Sequence, residues 1–207
     1  MVIIAKQFIY IKTRKTGSTT VEMILQRALL QKPVSEINEG TIISPTGDIV
    51  GFRHCRAPPF MDCFDDHMPL CRVQSIIPNA KDRKLIICVR NPWDMVVSFY
   101  NFHLQKGLPC DRITKSFDDF VNTDLYDFNN CIMDGYAEFK TYFVRLEYLR
   151  EDLEAVQVAL GLDLQLQDIP HANSSEHEPY RSFYTSETRD RVAQIFHDVI
   201  EKFNYTF

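Results

Sequence analysis

The most constraining feature of this 207-residue chain lies near its start: a short apolar run, a basic hydroxyl-rich loop with one glycine, then a helical pattern. Residues 7–12 (Gln-Phe-Ile-Tyr-Ile-Lys) are rich in aromatic and β-branched side chains and short enough to be a central strand. The turn Thr13-Arg14-Lys15-Thr16-Gly17 follows. From residue 18 to 30, Val21, Ile24, Leu25, Ala28 and Leu29 recur at helical spacing.

A strand, a tight loop and a helix start in this order form an anion cradle. The first N–H groups of a helix have no intrahelical partner and lie at the positive end of its dipole. Gly17 allows close backbone approach, the hydroxyls of Thr16, Ser18, Thr19 and Thr20 add donors, and Lys15 adds a full charge. Arg14 is placed either to reach a bound anion or to face solvent. Ser18 and Thr19 would also be favoured as simple helix caps. The loop is not of the G-x-x-x-x-G-K-[ST] type, because its lysine precedes its only glycine. An ATP-dependent small-molecule kinase is therefore the alternative reading, not the leading one.

The pattern recurs downstream. Residues 84–89 (Lys-Leu-Ile-Ile-Cys-Val) form the largely continuous apolar run expected of a strand buried on both faces of a parallel sheet. Arg90-Asn91-Pro92-Trp93-Asp94 follows, and Pro92 suits the first position of a helix continuing through residue 104. Arg90 leaves the strand at its carboxyl end, and Ser98 lies about two helical turns on. Arginine suits bidentate phosphate binding. A structural ion pair between Arg90 and Asp94 is the competing reading.

Elsewhere, residues 41–44 and 49–52 flank Pro45-Thr46-Gly47-Asp48 as a strand-turn-strand. Pro58-Pro59 forbids a helix there, and a helix is expected around residues 67–76. A short helix is expected at 117–121, a strand at 142–146, and a helix at 150–160 stopped by Gly161. Residues 163–184 are polar and read as a long functional loop. A final helix is expected over 186–203, with Val192, Ile195, Phe196, Val199 and Ile200 on one face. Strands alternating with helices predict a single α/β domain over 1–207, three layers around a mainly parallel sheet. Ligands of such sheets bind beyond the carboxyl ends of the strands.

The two motifs together resemble the sulfotransferase family that uses 3′-phosphoadenosine 5′-phosphosulfate (PAPS). Lys15-Thr16-Gly17-Ser18-Thr19-Thr20 is similar to its 5′-phosphosulfate loop, and Arg90 through Ser98 to its 3′-phosphate motif. Residues 144–149 with Glu151-Asp152-Leu153 resemble its late strand and helix. Pro170-His171-Ala172-Asn173-Ser174-Ser175 and Pro179-Tyr180-Arg181-Ser182-Phe183-Tyr184 resemble its closing loop, and Phe203-Asn204-Tyr205 the end of its carbohydrate-type branch. The resemblance implies the P-loop-NTPase-like sulfotransferase fold, PAPS as co-substrate with its 3′,5′-bisphosphate (PAP) as product, and a hydroxyl acceptor, a saccharide first. It places Asn173, Ser174 and Arg181 along the nucleotide or the acceptor. His54, in Gly51-Phe52-Arg53-His54-Cys55, follows an expected strand and is similar to the histidine with which carbohydrate sulfotransferases deprotonate the acceptor. His67, His103, His171, His177 and His197 take structural readings. A protein that keeps the nucleotide pocket without turnover is the alternative from another class.

A net charge of −5 disfavours a broad basic surface for nucleic acid, while leaving room for a local positive pocket. The six cysteines contain no C-x-x-C pair and read as free thiols in a reducing compartment. No apolar run approaches the roughly 20 residues of a membrane-spanning helix. The basic cluster Lys12, Arg14 and Lys15 follows the first apolar stretch, whereas a signal peptide carries its charges in front. An unexported, cytoplasmic enzyme is expected. No metal is expected, since Asp65-Asp66-His67 are adjacent and cannot easily converge on one ion.

Overall fold

The computed structural model describes residues 2–31, 42–43, 49–50, 67–106, 116–123, 126–169 and 178–207. They sort into two compact units, Met1–Val89 with Cys131–Ala172, and Arg90–Asn130 with Asn173–Phe207. Each has its own apolar core.

The first unit holds a sheet in the order β3-β4-β1-β2-β5-β6. Its long strands are β2 (Phe8–Ile11), β5 (Lys84–Val89) and β6 (Thr141–Arg145), and they run parallel, with Ile9 opposite Leu85 and Ile86 opposite Tyr142. The short strands β1 (Ile3–Ile4), β3 (Ile42–Ile43) and β4 (Ile49–Val50) extend the sheet antiparallel beyond β2. The segment before the loop is therefore a tight hairpin closed by Ala5 N–H donating to Phe8 O at 2.9 Å, where a lone opening strand was expected.

One sheet face, carrying Phe8, Tyr10, Ile86, Cys88 and Val144, packs with Val21, Ile24 and Leu25 of α1 (Ser18–Leu30) and Leu153, Val156 and Leu160 of α6 (Leu149–Leu160). The alternate residues Ile9, Ile11, Leu85 and Ile87 are fully buried too, so both faces are covered, as the unbroken apolar run of β5 requires. Gly161 ends α6 in the left-handed conformation, its N–H donating to Gln157 O. The helix expected around 67–76 is α2 (Leu70–Ile76).

The second unit is helical: α3 (Pro92–Lys106), α4 (Phe117–Val121), the start of α5 (Phe128–Met133), whose residues from Cys131 onward belong to the first unit, α7 (Ser186–Ile195) and α8 (His197–Phe203). Its core is strongly aromatic, with Trp93, Phe99, Tyr100, Phe117, Phe120, Tyr126 and Phe196 buried together. The single final helix expected over 186–203 is two helices, broken at Phe196 (φ −106°, ψ 24°). Among the described residues no helix is long and apolar enough to cross a membrane.

Candidate functional site

β2 and β5 are parallel neighbours, so the chain leaves both at the same edge of the sheet. β2 runs into the loop at residues 12–17, whose shape is set by buried polar contacts. Lys12, 5% exposed, donates from Nζ to Glu22 Oε2 of α1 at 2.6 Å, and Gln26 Nε2 reaches Glu22 Oε1 at 3.3 Å. Thr13 Oγ1 donates to Cys88 O at 2.6 Å and lies 2.7 Å from Thr16 Oγ1. A hydroxyl has one proton, so Thr16 is the donor of that second bond. Ser18 Oγ donates to Thr13 O at 2.6 Å, and Tyr10 Oη donates to Ser18 O at 2.5 Å. With that proton committed, the Cys88 thiol is the donor of its 3.7 Å contact with Tyr10 Oη. Burial pushes the Cys88 thiol up to about 12, so it is protonated and inert.

These bonds sort the expected loop residues. The hydroxyls of Thr16 and Ser18 point inward and brace the loop, and both residues are buried. Arg14, Lys15, Gly17 and Thr19 are half-exposed, while Thr20 is buried. Lys15 (φ 59°) and Gly17 (φ 70°) take left-handed backbone, a geometry that forms anion-binding concavities from successive N–H groups. Thr20 and Val21 N–H donate to Gly17 O, and among the described residues no backbone acceptor faces the N–H groups of Thr16, Gly17, Ser18 and Thr19. The left-handed backbone at Gly17 favours glycine, and a Cβ there would meet the tip of the Leu146 side chain, which would have to turn aside. Leu146 follows β6, where Asp152 accepts from Arg145 N–H and Nε at 2.8 Å and from Nη2 at 2.7 Å.

His67, assigned a structural role from sequence, belongs to this loop. Its Nδ1 lies 2.9 Å from Lys12 O. A carbonyl only accepts, so Nδ1 carries the proton and Nε2 keeps its lone pair. Burial, with help from the positive charges of Arg14 and Lys12, lowers its pKa to about 4 against the raising effect of the Lys12 bond. The imidazole is neutral at pH 7 in one tautomer. Fifty-five positions separate the two partners, and no local spacing in the sequence announces the pair.

In the second unit, Arg90 donates from Nε to Asp94 Oδ2 at 2.8 Å and from Nη2 at 2.7 Å, so the competing ion-pair reading is realised. Asn91 Oδ1 accepts from Trp93 N–H at 3.1 Å and closes the first turn of α3. Ser98 is buried, four residues beyond Asp94 on the same helix face. Arg181 is exposed, its guanidinium over the rings of Tyr180 (5.2 Å) and Phe207 (5.9 Å). Arg14 to Thr20 thus form one continuous segment of the first unit, the loop and the first turn of α1, while Arg90, Ser98 and Arg181 lie in the second. His54, Asn173 and Ser174 lie outside the described residues. Among the described residues no three His, Cys, Asp or Glu side chains are grouped to hold a metal.

The sulfotransferase domain family matches residues 6–156, which include the loop, β5, the Arg90 motif and most of α6. Among curated proteins no sequence matches. Among solved structures, the mouse sulfotransferase SULT7A1, crystallised with PAP, shares the fold at a TM-score of 0.55 and 14% identity, covering 94% of this chain and 84% of that one. With most of the chain matched, the loop and the Arg90 turn included, the chain belongs to the sulfotransferase family, the PAPS-dependent family that its motifs resemble.

Proposed function

We propose that this enzyme transfers the sulfuryl group of PAPS to a hydroxyl of a carbohydrate. The observation that carries the donor reading is the loop itself: two left-handed residues, inward-braced hydroxyls and N–H groups that meet no backbone acceptor among the described residues, with Lys15 alongside. These donors suit a 5′-phosphosulfate. Arg90 and Ser98 would hold the 3′-phosphate, with Asp94 fixing the plane of the guanidinium. Arg14, Thr19, Thr20, Asn173, Ser174 and Arg181 complete the proposed donor contacts, and Thr16, Gly17 and Ser18 act through their backbone.

The donor supplies a sulfuryl group on a phosphate leaving group. The acceptor oxygen forms the new S–O bond as the bridging S–O bond breaks, and the electron pair goes to the phosphate oxygen. Lys15 would stabilise that developing charge, a role often worth several kcal/mol. A histidine would take the acceptor proton. His54 is the base that the resemblance suggests; His67, held by Lys12 O and unprotonated at Nε2, is the second candidate. His67→Asn keeps a donor for Lys12 O and removes that lone pair. It should lower turnover by roughly 100- to 10,000-fold with PAP affinity retained. If His54→Ala shows that loss and His67→Asn does not, the base is His54.

The carbohydrate acceptor rests on the resemblance of the closing segments. A cytoplasmic location draws support from the free thiols of Cys71, Cys88 and Cys131. The first test is thermal stabilisation by PAP against ATP with magnesium. At a hundred times its dissociation constant, PAP should stabilise by about 2.7 kcal/mol. That shift should vanish in Arg90→Ala. A shift with ATP and magnesium alone would promote the kinase reading.

A further inference from the structure

Residues 204–207 fold back on the turn that carries Arg90. Asn204 takes left-handed backbone (φ 52°) after α8, and Tyr205 N–H donates to Ile200 O at 3.1 Å, a helix-ending reversal that redirects the chain. Asn91 Nδ2 then donates to Thr206 O at 3.0 Å. Phe207 sets its ring edge-on to Trp93 at 5.5 Å, Tyr184 at 5.5 Å and Tyr180 at 5.7 Å. The guanidinium groups of Arg181 and Arg189 each lie 5.9 Å from the same ring. Trp93 is held further by its own Nε1 donating to Arg189 O and by Tyr184 Oη donating to Trp93 O.

Phe207 therefore touches two parts of this unit that the donor reading uses: the Asn91–Trp93 turn next to Arg90, and Arg181. We propose that Phe207, with the Thr206 carbonyl, is a positioning device for recognition of the donor's 3′-phosphate. It acts on Arg90 through the turn and on Arg181 through the ring, and it touches no reacting atom. The inference rests on the donor reading given above. Its physical basis is that the planar fork of an arginine recognises phosphate bidentately only when it is held in a fixed geometry. Asp94 orients the guanidinium of Arg90, while the Asn91–Thr206 bond and the packing of Phe207 on Trp93 hold the turn that follows it.

The test uses two probes that differ only in the 3′-phosphate, PAP and 5′-AMP, titrated against wild type, Phe207→Ala, Phe207→Tyr and Arg90→Ala. In Phe207→Ala the preference for PAP over AMP should fall by about tenfold or more, with AMP affinity changed less than about twofold. Phe207→Tyr should restore the preference, and Arg90→Ala should abolish it. A general loss of stability would weaken both probes together, so a parallel loss, or an unchanged ratio, overturns the inference. If Phe207→Ala does not fold, Asn91→Ser carries the test: serine still caps α3 and cannot reach Thr206 O. It must show the same selective loss, and a retained ratio overturns the inference. Equal binding of PAP and AMP by wild type would instead sink the donor reading, which separates the two failures.

Discussion

Lys15 takes a left-handed backbone that costs an L-residue with a Cβ roughly 1–2 kcal/mol, and the loop around it is held by at least four buried hydrogen bonds that offset such strain. His67 is part of the same arrangement and makes its stability dependent on pH. Its pKa is about 4 in the fold and 6.5 when unfolded, so the folded value is depressed and the neutral form is favoured. Above pH 6.5 both states are neutral and the full stability is present. Between pH 6.5 and 4 the unfolded chain takes up a proton that the folded chain does not, and stability falls. Below pH 4 the loss is complete, at about 3 kcal/mol. Between pH 7 and 4.5 the wild-type melting temperature should therefore drop further than that of His67→Asn, by on the order of 5–10 °C. Parallel melting curves for the two proteins would show that His67 is not held neutral.

Elements whose pattern is dictated by burial were legible in the sequence. β5 occupies the six residues of the continuous apolar run, and α1 begins and ends where its apolar stripe does. α6 starts one residue before the expected 150 and stops at Gly161. The break at Phe196 was not legible, because no proline or glycine marks it and the apolar stripe continues through Val199 and Ile200. Nor was the opening hairpin, since Lys6 and Gln7 look like an interruption until they are seen as the turn between Ala5 and Phe8. At the candidate site, the loop and the Arg90 turn could be read because their chemistry is contiguous. The partners that shape them could not, because Cys88, Glu22 and His67 reach the loop from the neighbouring strand, the following helix and the far side of a long excursion. Sequence reading assigned Thr16 and Ser18 to the ligand by residue type, and the fold instead turns their hydroxyls inward.

The whole molecule carries a reporter of its own opening. Cys88 sits in the middle strand of the parallel trio, buried, with its thiol raised to about 12, whereas Cys71 is exposed on α2. Only a thiolate reacts with an alkylating agent, and Cys88 cannot become one while the sheet around it is intact. Its labelling under native conditions should therefore follow opening of the first unit's core, while Cys71 labels through the surface. A ligand that binds only the folded state lowers the open population by the factor one plus its concentration over its dissociation constant. Saturating PAP at a hundred times that constant should slow Cys88 labelling by about a hundredfold, with Cys71 changed little. Mass spectrometry of the two peptides over time measures both rates in one sample. Slowing of Cys88 by PAP but not by ATP would tie the stability of the parallel strands to the donor through the braced loop, without any acceptor in hand. Equal rates with and without PAP would mean that the folded state does not take the donor.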